Sequence, residues 1–372
     1  MSLKNYPAGF RGERNEERMR GRVIRVASRV VTLSVSLAVL TASTDTGHQS
    51  GSALPPPLDK YVTDVVKLTA EERTTLAAGG PVSKLLDVDP NKEIAVFGAI
   101  WIDAPMHSYA VALNDIETFE RGGGFRKTKR LSAPPTLEDF ADLDLPADDI
   151  KDLRTCKPGE CSVKLGDEAL QRFRTGVNWN SPTAHQTVDA VMRELALRYV
   201  TGYLEGGNER LAVYRDKERP TFVAHELRDM IDRMPELTAY LPQMRQYLLE
   251  FPEATLPDST AFLYWQKTVF GLKPTIRISH VVIREQPTAT TVASKMLYAT
   301  HYFWTGLELR VLLPDAARGR GFWFTTLSRS RSDGLSGFSG SIVRRRAGRE
   351  AKDGAVAALT ATKAKLEAPP AR

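Results

Sequence analysis

The C-terminal third of the chain constrains the fold most, because the hydrophobic residues in this segment recur with the period of β-strands. Short runs rich in β-branched and aromatic residues alternate with turn residues such as Gln286-Pro287 and Thr305-Gly306. These runs predict strands over residues 275–284, 291–304, 307–313, 321–329 and 338–345. An Ala-rich segment at 347–366 then predicts a helix that closes the chain.

The preceding sequence predicts helices on either side of one clear strand. Thr69 and Glu72 form a capping-box pattern, which predicts a helix start. Residues 93–102 predict a strand, and Asp103-Ala104-Pro105 ends it before an amphipathic helix. Residues 166–254 carry mostly helical patterns. The chain is therefore expected to mix a C-terminal sheet with a large helical region.

Residues 19–43 have the layout of a secretory signal. Four arginines precede an apolar run at 30–40, which is shorter than the roughly 20 residues that span a bilayer. We expect residues 1–43 to be a signal peptide, with Met19 as an alternative start, and residues 44–67 to be a linker. The protein is then exported to the periplasm or the extracellular space. An uncleaved helix or anchor is the alternative.

The net charge of +6 comes largely from this leader. Residues 1–42 hold eight of the 51 Lys and Arg residues and three of the 45 Asp and Glu residues, so the remaining chain is nearly neutral. The basic composition is thus poor support for nucleic-acid binding, and we predict no nucleic-acid partner.

The chain has two cysteines, separated by a Pro-Gly turn in Cys156-Lys-Pro-Gly-Glu-Cys161. Such a turn brings two thiols within bonding distance, and an oxidising compartment favours a disulfide. The spacing is not that of a zinc or haem site. No phosphate-binding loop or H-E-x-x-H motif is present either. We therefore predict a structural disulfide, no metal site and no cofactor.

The order of elements resembles the START-like, or polyketide cyclase-like, helix-grip superfamily. The matching segments are 94–114 and 275–366, about a third of the chain. The resemblance implies an α+β fold in which a curved antiparallel sheet packs on a long C-terminal helix and leaves a cavity between them. Residues 68–165 would begin this domain, 166–254 would be a mostly helical insertion or lid, and 255–367 would complete it. The C-terminal half also looks like an exported bacterial family of unassigned function.

The candidate site follows from pairing the strands at 275–284 and 291–304. A symmetric hairpin places His280 opposite Lys295, Ile278 opposite Leu297 and Ile276 opposite Ala299. Because side chains alternate along a strand, one face then carries the proposed ligand-binding residues. These are His280, Lys295, Leu297, His301 and Phe303. Tyr298 and Tyr302 are expected on the other face, and the named face is expected to look toward the last helix.

An apolar wall with a few polar groups is typical of a small-molecule cavity. The leading hypothesis is a binding protein that holds a lipid or other hydrophobic molecule between the sheet and the C-terminal helix. The alternatives are an enzyme, with His280 or His301 as general base and Lys295 or Tyr298 stabilising charge, and a cell-envelope interaction protein. The simplest structural explanation is that these side chains belong to the core or its rim.

Two arginine clusters complete the candidates. Arg329 and Arg331 could pair with Asp333 or bind an anionic group, although a solvated turn is the simpler interpretation. Arg344, Arg345 and Arg346 are predicted at a strand-to-helix junction, where they could contact an anionic membrane surface.

Overall fold

The computed structural model describes residues 54–122, 124–269 and 273–368. The predicted signal peptide lies outside these ranges. Eight antiparallel strands form one curved sheet in the order β1-β2-β10-β9-β8-β7-β6-β3, and β4 and β5 form a separate ribbon. The strands are β1 (Val82–Leu85), β2 (Glu93–Ile102), β3 (Phe125–Arg130), β4 (Val213–Tyr214), β5 (Thr221–Phe222), β6 (Ser259–Thr268), β7 (Thr275–Gln286), β8 (Ala289–Ala299), β9 (Phe303–Pro314) and β10 (Phe322–Ser332).

Ten α-helices accompany the strands in the described ranges. They are α1 (Pro56–Asp64), α2 (Ala70–Ala77), α3 (Met106–Asn114), α4 (Ile116–Phe119), α5 (Ala147–Leu153), α6 (Asp167–Gly176), α7 (Ala184–Gly206), α8 (Val223–Asp232), α9 (Pro242–Glu250) and α10 (Gly337–Glu367). A 3₁₀ turn (Gly207–Arg210) follows α7. No helix within the described ranges is long and apolar enough to cross a bilayer.

The sheet is covered on both faces. We call the face covered by α3, α4 and α10 the helix face; Val281, Val292, Leu312 and Phe324 lie on it and share a core with Leu359 of α10. We call the opposite side the insertion face; Trp265, Ile278, Val282 and Leu309 lie there and share a core with helices α5 to α9. The helical region is therefore part of the main core.

The predicted α+β class, with an antiparallel sheet, a long C-terminal helix and a helical insertion, is confirmed. The strand at 93–102 has the predicted bounds. Thr69 and Glu72 form the expected capping box at the start of α2. Cys156 and Cys161 are disulfide-bonded, with their Cα atoms 4.6 Å apart. The strand at 93–102, the capping box and the disulfide depend on residues close together in the sequence, which explains why they could be predicted from the sequence.

Other predictions are wrong where packing overrides local pattern. Part of the predicted linker is α1, whose Leu58 and Val62 are buried against β2 residues such as Phe97. Residues 338–345 belong to α10 and form no strand, although Ile342 and Val343 favour β structure. The expected turn at Thr305-Gly306 lies inside β9, because the chain turns instead at Tyr302, whose φ is 60°.

Candidate functional site

His280 and Lys295 are paired across β7 and β8, as the hairpin register predicted. Both side chains lie on the insertion face, whereas the sequence placed them toward the last helix. The alternation of side chains along a strand predicts which residues share a face, but it does not predict which segment of the chain covers that face. In the structure the insertion covers it, and Tyr203 of α7 and Tyr247 of α9 contact His280.

The imidazole of His280 is held by two tyrosine hydroxyls. Nδ1 lies 2.8 Å from the Tyr203 hydroxyl and Nε2 lies 3.3 Å from the Tyr247 hydroxyl. A neutral imidazole donates through one nitrogen and accepts through the other, and a tyrosine hydroxyl can do either. Burial, with the positive charge of Lys295, lowers the pKa of His280 to about 3. The ring is therefore neutral at physiological pH.

Lys295 is fully buried and contacts neutral acceptors. Its Nζ donates to Asn208 Oδ1 at 2.9 Å and to the Leu248 carbonyl at 3.3 Å. The same nitrogen lies 4.9 Å from the centre of the Tyr203 ring, a cation–π distance. Burial lowers the pKa of Lys295 to about 7. Within the described ranges this ammonium has no carboxylate partner.

His301 belongs to a different cluster. Its Nδ1 lies 3.0 Å from the Ser162 carbonyl and its Nε2 lies 2.8 Å from Asp149 Oδ2. Both partners are hydrogen-bond acceptors, so the ring is held between a backbone carbonyl and a buried carboxylate. Lys273 also pairs with Asp149, at 3.5 Å. This cluster joins the turn after β8 to α5 and to the loop closed by Cys156 and Cys161. The expected wall of His280, Lys295 and His301 does not form.

A β-bulge explains why the predicted register fails beyond His280. Ser279 pairs with Met296 but Ile278 pairs with Tyr298, so Leu297 is the extra residue. Ile278 therefore does not face Leu297. Ala299 faces Arg277, where the sequence predicted Ile276. Leu297 and Tyr298 both join the core on the insertion face, which corrects the expected orientation of Tyr298. Phe303 is half-buried at the start of β9, after the turn.

A cavity of about 410 Å³ lies beside this bulge, between the sheet and helices α6 and α7. Ile278 and Tyr298 form its floor. Most of the remaining lining is apolar or small: Leu165, Gly166, Ala169, Met192, Leu195, Ala196, Gly202 and Ala212. Its volume lies in the range of small-molecule sites, about 300–1,000 Å³.

The polar groups of the cavity are few. Tyr199 donates its hydroxyl to the Leu297 carbonyl at 2.7 Å, and Tyr298 donates to the Lys164 carbonyl at 2.8 Å. Those hydroxyl protons are engaged by the protein itself. The charged lining residues are Glu168, Arg198 and Arg210, all exposed in part or in full. Glu168 and Arg198 form an ion pair with each other.

The helix face is ionic at its centre, unlike this cavity. Arg310 pairs with Glu308 on β9, and Arg277 donates to Gln266 Oε1 at 2.9 Å. Gln266 in turn donates to Glu120, whose pKa is raised by burial and by the neighbouring Glu308 carboxylate. A hydrophobic molecule fits the apolar cavity of the insertion face better than this charged surface.

Arg329 and Arg331 bind protein carboxylates. Both guanidinium groups contact the fully buried Glu93, at 2.6 and 2.7 Å, and Arg331 also pairs with Glu226 of α8 at 2.7 Å. Asp333 pairs instead with the buried Lys164. The solvated turn that was the simpler interpretation is wrong, because Arg329 and Arg331 are buried, and so is the alternative of pairing with Asp333. These charges connect β10 to β2, α8 and the loop before α6.

The arginines at 344–346 lie inside α10 and not at a strand-to-helix junction. Arg344 donates to the Pro90 carbonyl at 2.8 Å, so its charge is turned toward the protein. Arg346 pairs with Glu350, and Arg345 is exposed. Contact of this segment with an anionic membrane stays a prediction.

No protein-family model matches the chain, and no similar sequence was found among curated proteins. The sequence predicted helices in this region but not the cavity that Leu195 and Tyr199 line. Small residues at Gly166, Ala169, Ala196 and Gly202 were the available signal, because several small side chains facing a sheet leave space.

Proposed function

We propose that this chain is an exported binding protein that holds a small, mostly apolar molecule in the cavity between α6, α7 and the β7–β8 bulge. The observation that carries the proposal is the cavity of about 410 Å³ with its largely apolar lining. Burying apolar ligand surface there is favourable by roughly 25 cal/mol per Å². The START-like resemblance agrees with ligand binding, although it implies a cavity on the other face.

Export is supported by the disulfide between Cys156 and Cys161. Disulfides persist mainly in oxidising compartments, such as the periplasm and the extracellular space. The signal-like layout of residues 19–43 points the same way. N-terminal sequencing of protein recovered from the periplasmic fraction tests this part; recovery of an uncleaved chain from the cytoplasm alone contradicts it.

The enzyme alternative has less support from the geometry. None of its candidate groups His280, Lys295 and His301 is among the residues lining the cavity. His280 and Lys295 contact Tyr203, Tyr247 and Asn208 instead, and His301 contacts Asp149. General acid–base catalysis requires the group to reach the substrate within hydrogen-bond distance. Tyr298 does line the cavity, but its proton is bonded to the Lys164 carbonyl.

The decisive experiment for binding combines native mass spectrometry with a cavity-filling variant. Protein purified without denaturation is expected to carry an organic molecule that is lost on unfolding. Ala196 is buried on the cavity side of α7, so Ala196→Phe is expected to reduce the retained molecule at least about tenfold, since the added ring competes for the same space.

Ala190→Phe is the matched control, because Ala190 is exposed on the same helix. It is expected to retain the molecule fully. Melting temperatures of both variants establish that they fold. A wild-type protein that carries no organic molecule and binds no apolar probe contradicts the proposal, and so does equal retention by Ala196→Phe.

A further inference from the structure

We propose that the molecule held in this cavity carries one acidic group, and that the Arg210 guanidinium binds it at the mouth. The chemical class is a carboxylate on an apolar body, either an acyl chain or an aromatic ring system. This inference rests on the proposed function, since it names the ligand class of the same cavity.

The first argument is the charge balance of the lining. Its charged residues are Glu168, Arg198 and Arg210. Arg198 is neutralised by Glu168 through their ion pair. Arg210 has no ion-pair partner among the described residues. The mouth of an apolar cavity thus presents one uncompensated positive charge, and a monoanion matches it.

The second argument is the position of the Arg210 side chain. A Cβ atom on Gly206 would stand 2.9 Å from both Cγ and Nε of Arg210. The Arg210 side chain therefore lies directly against the last residue of α7, in the space beside Gly206 that a side chain at that position would share. This placement brings an arginine from the 3₁₀ turn to the cavity lining formed by α6, α7 and the sheet. Guanidinium groups bind carboxylates with two parallel hydrogen bonds.

The third argument concerns the other polar groups. The hydroxyl protons of Tyr199 and Tyr298 go to the carbonyls of Leu297 and Lys164. They are not available to a ligand acceptor unless those bonds break. Among the charged donors of the lining, the Arg198 guanidinium is paired with Glu168, whereas no carboxylate among the described residues pairs with the Arg210 guanidinium.

The experiment compares acids with matched alcohols by titration calorimetry on delipidated protein. The pairs are laurate with 1-dodecanol and 2-naphthoate with 2-naphthol. The acid of at least one pair is expected to bind about five- to tenfold tighter than its alcohol. Arg210→Gln is expected to remove that preference by weakening the binding of the acid about five- to tenfold. The pair that binds identifies the apolar body.

Arg228→Gln is the charge-matched control, because Arg228 is exposed on α8 and outside the cavity lining. It is expected to keep the preference. Alcohols that bind as tightly as acids overturn this inference and leave the proposed function standing. A preference that survives Arg210→Gln, or that Arg228→Gln also removes, overturns it as well. Failure of all four probes to bind counts against the proposed function itself.

Discussion

At the scale of single residues, Lys295 binds its proton more weakly in the folded chain than in the unfolded chain. In the folded protein its side chain is fully buried, which lowers the pKa to about 7, whereas a lysine in water has a pKa near 10.5. Between these two values the unfolded chain binds a proton that the folded chain does not. Linkage then requires the free energy of unfolding to rise with pH across this interval.

The prediction for Lys295 is a slope in stability between about pH 7 and pH 10. In denaturant unfolding, the free energy of unfolding of the wild type is expected to rise with pH more steeply than that of Lys295→Met, by up to about 1.4 kcal/mol per pH unit. Below pH 7 the two slopes are expected to become equal. Lys352→Met, at an exposed position of α10, is the control and is expected to keep the wild-type slope. A Lys295→Met variant with the same slope as the wild type would show that the amine is not desolvated.

Glu93 is the second residue whose role is set by burial. Its two carboxylate oxygens are divided between Arg329 and Arg331, and its side chain is 0% exposed. Removing one partner of a buried ionic group leaves the others without compensation, which costs about 3–5 kcal/mol. Replacing the whole ionic group by apolar residues is therefore expected to destabilise the protein less than removing the Glu93 carboxylate alone.

Glu93→Gln is expected to lower the free energy of unfolding by about 3–5 kcal/mol, measured by chemical denaturation. Glu285→Gln is the matched control, since Glu285 pairs with His107 at a site where its side chain is 40% exposed. There the expected loss is below about 1 kcal/mol. Similar losses for both variants would refute the special role of the buried group.

At the scale of elements, the end of α7 depends on glycine. Gly207 follows α7 with a φ of 55°, in the left-handed region, and a Cβ there would lie 1.7 Å from the Phe251 carbonyl oxygen. Five residues earlier, within the helix, nothing lies within 4 Å of a Cβ built on Gly202. A side chain at position 207 would therefore clash with the backbone, whereas a side chain at position 202 would meet open space.

Gly207→Ala is expected to destabilise the protein by on the order of 3 kcal/mol or more, since it combines backbone strain with a backbone clash. Gly202→Ala is expected to stabilise it by up to about 1 kcal/mol, because alanine has the higher helix propensity. Thermal melts of the two variants measure both effects. A Gly207→Ala variant as stable as the wild type would contradict the close approach.

At the scale of the whole molecule, the insertion and the sheet share one core. Val188 and Val200 of α7 are buried in the same cluster as Ile278 and Leu297 of the sheet. A detachable lid would keep its own core and leave the sheet intact when it opens. The shared core predicts instead that both parts unfold together.

Native-state hydrogen exchange is expected to give the amides of α7 and β8 the same free energy of opening, within about 1 kcal/mol. Residues in the turn 315–319 serve as the exposed reference and exchange faster. Opening of α7 at a clearly lower free energy than β8 would mean that the insertion is a separable lid.

The sequence determined what depends on neighbouring residues. The β2 bounds, the Thr69 capping box, the disulfide turn and the pairing of His280 with Lys295 follow from residue period, turn chemistry and short spacing. Each is decided within a few residues of chain, where backbone geometry leaves few choices. Local pattern therefore sufficed for the mixture of strands and helices, whereas the packing of the sheet on the last helix was implied by the START-like resemblance.

Tertiary structure alone decided what covers each face. The bulge at Leu297 changes the register beyond His280, and nothing in the local pattern marks it. Burial by α7 and α9 makes Lys295 a core residue, while Asp149 takes His301 into a separate cluster. The cavity exists because small residues distant in sequence meet above the bulge. Packing between distant segments sets these features. The alternation of side chains along a strand does not predict which segment packs on which face.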